Sequence, residues 1–184
     1  MTNENDSLGD IGNREWDMRN GSGSRKAEYT ANNLNQYTSR TVLGALDILG
    51  SANPDGTVTV NEQATTRQGA YYYKEIAVDN ASGAVWQAVS VAGTLASPAV
   101  SITNSGHLFL PKTAEAFTFD LDGNQTSDGR WTNTWDAENR LISMETTASA
   151  VAAGAPHQKL VFTYDYQWRR VSKVVSNFTG GVWV

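Results

Sequence analysis

Closely spaced carboxylates are the first residues in this sequence that could do chemistry. Asp120, Asp122 and Asp128 surround Gly123, which is the composition of a calcium-binding loop. An EF-hand loop needs oxygen ligands at positions 1, 3 and 5, glycine at position 6 and glutamate at position 12. Counted from Asp120, glycine falls at position 4 and Thr132 at position 13, so the register fails. We predict no metal site and interpret these aspartates as turn residues, because an Asp side chain bonds the backbone two residues on.

Histidines are the next candidates for chemistry. His107 and His157 lie 50 residues apart in loop-like surroundings. A hydrolytic site needs a nucleophile, a base and a group that orients the base, and nothing in the sequence nominates the other two. Paired carboxylates for glycoside cleavage stay open, because their separation in space decides that chemistry. We predict no catalytic residue, no cofactor, and a chain that is not an enzyme.

Aromatic side chains are the third candidates, because six Trp and seven Tyr could stack on sugar rings. Successive side chains of a strand point to opposite faces, so Tyr72 points away from Tyr71 and Tyr73. If Tyr71 and Tyr73 pack against a core Trp86, Tyr72 is the exposed ring. Tyr72 and Trp86 are therefore candidate ligand-stacking residues, and packing within a sheet is the alternative that we favour.

A recurring block accounts for the regular placement of the aspartates. The clearest copies are residues 117–125, 131–141 and 162–171; a weaker copy is 29–36 and a degraded one is 8–14. Aromatic residues at alternate positions share one face of a strand. The Asp that follows starts a turn, and a second short strand comes next. Each copy therefore predicts a β-hairpin.

The position three residues beyond the start of each turn favours a left-handed backbone. Four of the five copies have Gly or Asn there, the residues that enter positive φ at least cost. A tryptophan at positive φ is strained. The copy with Trp168 therefore either has a different turn type, which we favour, or carries a substitution that costs stability. The predicted structural turn residues are Asn35, Asp120, Gly123, Asp136, Asn139, Asp165 and Trp168.

The spacing of the copies indicates an insertion. The turn positions 9, 32, 120, 136 and 165 are separated by 23, 88, 16 and 29 residues, and only the step of 88 does not suit a hairpin. Short alternating segments with turn signals fill that step, which predicts a small sandwich. The predicted organisation is a polar, mostly irregular lead-in with a degraded repeat at 1–27, a repeat at 28–41, an inserted β-sandwich at 42–116 and repeat hairpins at 117–184.

Composition excludes several classes. A net charge of −5 without a basic face argues against a nucleic-acid partner. The absence of cysteine removes disulfides and thiolate chemistry. No apolar run is long enough to span a bilayer, and the polar first 30 residues contain no secretory signal.

The repeat copies resemble the YD repeats of the rearrangement-hotspot (RHS) family. That pattern is an aromatic, any residue, Tyr-Asp, two residues, Gly, then Asn or Arg, and residues 128–141 are its most specific match; around Asn32 an Asn replaces the Asp. The resemblance implies an all-β spiral in which hairpins form part of a shell-like sheet, often around a toxin. Such members usually end in a self-cleaving core before a toxin, which is not recognisable here. The insert is similar to immunoglobulin-like or carbohydrate-binding-like modules.

Together these observations predict a non-enzymatic scaffold segment of an RHS/YD-repeat protein, in a shell or a cell-surface stalk. The alternative is a carbohydrate- or protein-binding module carried by residues 42–116. The predicted partners are the rest of a longer polypeptide, with a toxin cargo or a surface glycan as further candidates, and no nucleic acid. The full-length bacterial parent is expected to be exported or on the cell surface, with no signal peptide in this fragment.

Overall fold

Antiparallel β-structure makes up nearly all of the regular structure. The computed structural model describes residues 4–8, 14–19 and 26–184, and the predicted all-β class is confirmed. Within those ranges the one helix, α1, is Ala148–Ala152, which Thr147 caps by accepting a hydrogen bond from the Ala150 N–H. No helix in the described ranges is long and apolar enough to cross a membrane.

The strands are short in most of the chain and longest in two hairpins. In chain order they are β1 (Glu4–Leu8), β2 (Arg14–Arg19), β3 (Lys26–Ala31), β4 (Tyr37–Arg40), β5 (Ala45–Ser51), β6 (Thr57–Val60), β7 (Gln63–Ala64), β8 (Thr66–Gln68), β9 (Tyr71–Ala77), β10 (Val85–Leu95), β11 (Val100–Leu110), β12 (Glu115–Ala116), β13 (Thr118–Phe119), β14 (Gln125–Ser127), β15 (Trp131–Trp135), β16 (Leu141–Thr146), β17 (Gln158–Tyr164), β18 (Arg170–Thr179) and β19 (Val182–Trp183).

The chain forms two compact units. The second unit consists of Gly44–Asp79 and Trp86–Leu110, and the first contains the other described residues. The second unit therefore lies inside the predicted insert, 42–116, but Asn80–Val85 and the residues from Pro111 onward belong to the first unit.

In the first unit the strands follow one another in chain order across the insertion. One sheet has the order β1-β2-β3-β4-β12, and the next runs from β13 to β19 in sequence. β12 pairs with β4, where Glu115 lies opposite Arg40, and the Phe117 N–H donates to the Thr38 carbonyl at 2.9 Å. Two residues later Phe119 pairs with Gln125 in β14. The strand after the insertion thus continues the row of strands that preceded it.

Strands occur within a segment that the sequence predicts to be mostly irregular. β1 and β2 lie in the segment 1–27 that was expected to be mostly irregular, and they pair with each other. Strand pairing stabilises this polar segment without an apolar run, which the sequence pattern alone does not reveal. Residues 9–13 of the degraded repeat, including Gly12, lie outside the described residues.

A buried asparagine ties together the three chain segments where the insertion begins, returns and ends. Asn80 is 3% exposed, and its Nδ2 donates to the carbonyls of Val42 at 3.2 Å and Pro111 at 2.8 Å. The Asn80 carbonyl accepts from the Thr113 N–H at 3.1 Å. A buried amide is stable only when its polar atoms are paired, so this residue fixes these three segments of the first unit relative to one another.

The second unit contains two sheets, with orders β11-β10-β6-β7 and β5-β9-β8. Its buried side chains include Ile48, Val58 and Val60, and Val60 is fully buried. Four and three strands is the count of a constant-type immunoglobulin domain, but the order differs. Here β6 lies between β10 and β7, whereas the immunoglobulin order places the second strand between the first and the fifth.

Candidate functional site

Four repeat turns share one hydrogen-bond pattern. In each turn the Oδ1 atom of an Asp or Asn accepts from the backbone N–H groups two and four residues later. At Asp136 these bonds measure 2.9 and 3.0 Å. They measure 3.0 and 2.8 Å at Asp120, 2.8 and 3.0 Å at Asp165, and 2.9 and 3.1 Å at Asn32. One side-chain oxygen thus closes each turn.

The residue four positions later closes the turn a second time, through its side chain. The Nε of Arg140 donates to Asp136 Oδ2 at 2.7 Å, and the Nε of Arg169 donates to Asp165 Oδ2 at 2.8 Å. Asn124 does the same to Asp120 at 3.1 Å. In the turn at Asn32 the donor and acceptor roles are reversed: Asn32 Nδ2 donates to Gln36 Oε1 at 2.8 Å. The sequence interpretation missed this role, although each of these positions has a side chain that can bond an Asx group.

All four described turns place the predicted residue in the left-handed region. The φ angles are 61° at Asn35, 88° at Gly123, 59° at Asn139 and 66° at Trp168. The Trp168 N–H donates to the Asp165 carbonyl at 3.1 Å, as the Asn139 N–H does to the Asp136 carbonyl at 3.0 Å. The favoured idea of a different turn type at Trp168 is therefore wrong. Two side-chain oxygens of Asp165 define the turn so strongly that the tryptophan adopts the common geometry.

Trp168 contacts the neighbouring repeat. The Arg140 guanidinium carbon lies 5.7 Å from the Trp168 ring centroid and 5.4 Å from that of Tyr164. Arg140 is also paired with Asp136 at 2.7 Å and with Glu138 at 2.9 Å. A guanidinium at these distances from aromatic rings is attracted by their π-systems. The tryptophan that strains its own turn therefore binds the cation that closes the adjacent turn.

The four turns are neighbours in the first unit, and we call them the turn row: residues 32–36, 120–124, 136–140 and 165–169. Asn124 Nδ2 donates to Asn139 Oδ1 at 2.7 Å and so joins the second turn to the third. A Cβ placed on Gly123 would lie 3.4 Å from Gln36 Nε2, which puts the first turn beside the second. Arg140 and Trp168 join the third to the fourth.

Hydrogen bonding keeps the turn carboxylates ionised. The backbone N–H of Arg140, followed by the Arg140 side chain, holds the pKa of Asp136 below its ordinary value despite partial burial. The backbone N–H and then the side chain of Arg169 lower the pKa of Asp165 in the same way. Burial raises the pKa of Asp120, but bonds from the Asn124 side chain and backbone outweigh it, so that pKa is lowered as well. These carboxylates act as hydrogen-bond acceptors for their own turns.

The candidate stacking residues are not on a common surface. Tyr71, not Tyr72, is the exposed ring, at 71%. Tyr72 is half-buried and lies over Gly50, where an added Cβ would be 2.4 Å from the Tyr72 hydroxyl oxygen. Trp86 lies in β10 of the other sheet and stacks on His107, with ring centroids 5.4 Å apart and planes at 2°. The expectation of an exposed Tyr72 fails because the glycine opposite it admits the ring.

The two histidines lie in different units and contact different groups. His107 is in β11, not in a loop. His157 Nε2 lies 3.1 Å from Glu145 Oε1, and its ring packs against Phe178 and Trp183 at 5.0 and 4.8 Å. In the described ranges no three His, Asp or Glu side chains are grouped so as to hold a metal ion.

Comparison with known proteins gives matches to part of the chain. No family model matches this chain, and no solved structure matches it. Relatives include the tRNA nuclease WapA of Bacillus subtilis strain 168, the tRNA3(Ser)-specific nuclease WapA of Bacillus spizizenii and the tRNA(Glu)-specific nuclease WapA of Bacillus subtilis subsp. natto. Each is 34% identical over 62 residues, which are 34% of this chain and 2% of the relative.

These relatives correct one sequence expectation. The prediction that the chain is not an enzyme is contradicted by these relatives, because their names specify a nuclease activity. That prediction rested on the lack of a recognisable catalytic group in this sequence, and the activity of a much longer protein cannot be read from one segment of it. The chain spans only a small fraction of the length of the relatives that it matches.

Proposed function

We propose that this chain is a scaffold segment of RHS/YD-repeat type within a longer polypeptide related to the WapA tRNA nucleases. The observation that carries the proposal is the turn row, in which four turns repeat the same side-chain closure and contact one another. Such side-by-side repetition builds a wall, because each hairpin buries its face and edges only against its neighbours.

Continuity of the strand order supports the scaffold role. β12 takes its place beside β4 although the second unit separates them in sequence. Arg40 and Glu115 reinforce this pair, with Arg40 Nε donating to Glu115 Oε2 at 2.6 Å where Glu115 is 5% exposed. A wall that tolerates an inserted unit without changing its strand order suits a framework on which other parts of a large polypeptide are mounted.

The open edge of β18 favours the proposal that the segment belongs to a longer polypeptide. β19 pairs with Phe178 and Thr179, and Val184 pairs with Asn177, so the part of β18 before Asn177 has no strand partner on that side among the described residues. Val171, Val174 and Val175 of β18 are 62%, 54% and 48% exposed. Exposed valines on an open strand edge suit pairing with a further hairpin. We extend the proposal to an exported or cell-surface polypeptide that carries a toxin, with nuclease activity belonging to that polypeptide.

A sugar-binding insert is less well supported than the scaffold. Sugar stacking by Tyr72 and Trp86 would need both rings on one accessible surface. They lie in different sheets of the second unit, and Trp86 already has His107 stacked on it. The second unit is therefore not proposed as a glycan-binding module.

Removal of the turn carboxylates tests the scaffold proposal. In the 184-residue chain, Asp136→Ala and Asp165→Ala are expected to lower the melting temperature and to increase protease cleavage within residues 117–184. Asp122→Ala is the matched control, because only the backbone N–H of Asp122 takes part in its turn. Unchanged protease resistance in both variants would remove the basis of the proposal.

A second measurement separates scaffolding from a direct part in nuclease activity. The same variants are placed in the longer polypeptide and assayed for tRNA cleavage. A scaffold role predicts that any loss of cleavage follows the loss of thermal stability and is recovered at lower temperature. Loss of cleavage at unchanged stability would instead show that the turn carboxylates take part in the reaction.

A further inference from the structure

The second unit contains a cavity of about 370 Å³ at one end of its two sheets. Its walls are mainly apolar, and Tyr72 contributes the aromatic surface. The aliphatic walls come from Val58, Val91, Leu95, Val100 and Ile102. Ligand sites are typically concave, mostly apolar and at least about 300 Å³ in volume.

The polar groups that line this cavity are all neutral, and the Arg67 guanidinium beside the lining donates to the carbonyls of Asn53 and Gly69 at 3.0 Å each. Asn53, Asn104, Thr57 and Thr94 supply amide and hydroxyl groups, and Tyr72 supplies a phenol. No Lys, Arg, Asp or Glu is among the described residues that line it. A charged ligand would lose its hydration without gaining an ionic partner, which costs several kcal/mol as an order of magnitude. The lining therefore selects against ions.

A glycine in the middle of a strand keeps the cavity open. Gly93 lies between Val91 and Leu95 in β10 and opposite Val58 in β6. A Cβ on Gly93 would meet no atom within 4 Å. A glycine inside a strand weakens the strand and often marks the close approach of a ligand. The space that a side chain would otherwise fill is thus available to a bound molecule.

The outer wall of the cavity is apolar and exposed to solvent. Val100 is 45% exposed and Ile102 is 61% exposed, and both belong to β11, the edge strand of its sheet. β11 contains no charged residue over its 11 residues. Covering exposed apolar side chains with a ligand removes their surface from water, which favours binding.

We propose that this cavity binds a small, uncharged, apolar molecule, with the Tyr72 hydroxyl available for a single hydrogen bond. A sugar does not suit the site, because its many hydroxyls would face aliphatic walls. The proposal concerns the second unit alone and does not depend on the scaffold role of the first.

Fluorescence titration of the whole 184-residue chain with Nile red, a neutral apolar dye, tests the proposal. We expect saturable binding that 1-decanol displaces. Decanoate at pH 8, which differs in its charge, is expected to compete at least about tenfold more weakly. Equal competition by the two molecules would overturn the neutral-ligand class, and absence of saturable dye binding would overturn the site.

Two pairs of variants locate the binding. Gly93→Val puts a branched side chain into part of the cavity and is expected to weaken dye binding about tenfold or more. Gly106→Val adds the same side chain to a glycine of β11 outside the lining, where a Cβ also meets no atom within 4 Å. If Gly93→Val fails to fold, Ile102→Glu puts a charge into an exposed wall, with Leu108→Glu on the same strand as its control. Equal affinity within both pairs would show that the dye binds elsewhere.

Discussion

Substitution of Trp168 separates two opposing contributions to the stability of the fourth turn. Its backbone has φ 66°, and an L-residue in the left-handed region costs roughly 1–2 kcal/mol. The residue is 61% exposed, so a little over a third of its surface is buried, which is worth about 1 kcal/mol of the roughly 1.5–3 kcal/mol of full burial. The cation–π contact with Arg140 adds about 0.5–1 kcal/mol.

These magnitudes predict an order of stability for two variants. Trp168→Ala loses the ring and keeps the left-handed backbone, so it is expected to lower the free energy of unfolding by about 1.5–2 kcal/mol. Trp168→Gly also loses the ring, but it no longer pays for a left-handed backbone at an L-residue. The conformational freedom of glycine in the unfolded chain cancels about 0.4–1 kcal/mol of that gain. The glycine variant is thus expected to be about 0.5–1 kcal/mol more stable than the alanine variant.

Urea denaturation followed by far-UV circular dichroism measures both values without relying on tryptophan fluorescence. Gly123→Ala is the reverse control, because it adds a Cβ at φ 88° where the nearest atom is the flexible Gln36 Nε2, 3.4 Å away. Equal stability of Trp168→Ala and Trp168→Gly would refute the backbone cost. A Trp168→Ala variant as stable as the parent would refute the contribution of the ring and of its contact with Arg140.

Three further predictions concern pH, packing and association. The three turn aspartates have folded-state pKa values below their ordinary values, so the unfolded chain takes up protons first as the pH falls. Their contribution to stability is present above the ordinary aspartate pKa of about 4 and is lost as the pH falls through the folded-state values. Melting curves from pH 7 to 2 should therefore show a smaller drop in melting temperature for Asp136→Asn than for the parent chain. Gly129→Ala should lower the free energy of unfolding by about 1–3 kcal/mol, because its Cβ would lie 2.8 Å from Pro111 Cβ and 2.9 Å from Glu115 Oε1. Gly83→Ala is the control and should be nearly neutral, because its Cβ would meet no atom within 4 Å. Equal free energies of unfolding for the two variants in urea would contradict the close contact at Gly129. The open edge of β18 predicts concentration-dependent self-association in sedimentation velocity, and a monomer at all concentrations would count against it.

Local chemistry made the repeat turns predictable. The hydrogen bond from an Asx side chain to the backbone two residues on, and the low cost of positive φ at Gly or Asn, involve only residues close in sequence. The anomalous spacing between positions 32 and 120 likewise indicated the insertion. The turn residues Asn35, Gly123 and Asn139 could therefore be named before the fold was known.

Contacts between the strands of the second unit were not predictable in the same way. The exposure of Tyr71, the burial of Tyr72 over Gly50 and the stacking of Trp86 on His107 depend on which strands pair and in which register. A shift of one residue in register would reverse the faces of all these side chains, and the alternation along the chain does not specify the partner strand. The cavity beside Gly93 depends on the packing of two sheets and has no signature in sequence.

The sequence by itself determined the all-β class and the turns, because strand alternation and turn chemistry act over a few residues. The tertiary structure alone decided that β12 lies beside β4, that Asn80 joins Val42 and Pro111 within the first unit, and that Trp168 keeps the left-handed turn. At Trp168 the two oxygens of Asp165 and the cation of Arg140 outweigh the local preference of the residue. Arg140 belongs to another repeat, and only the folded chain brings it there.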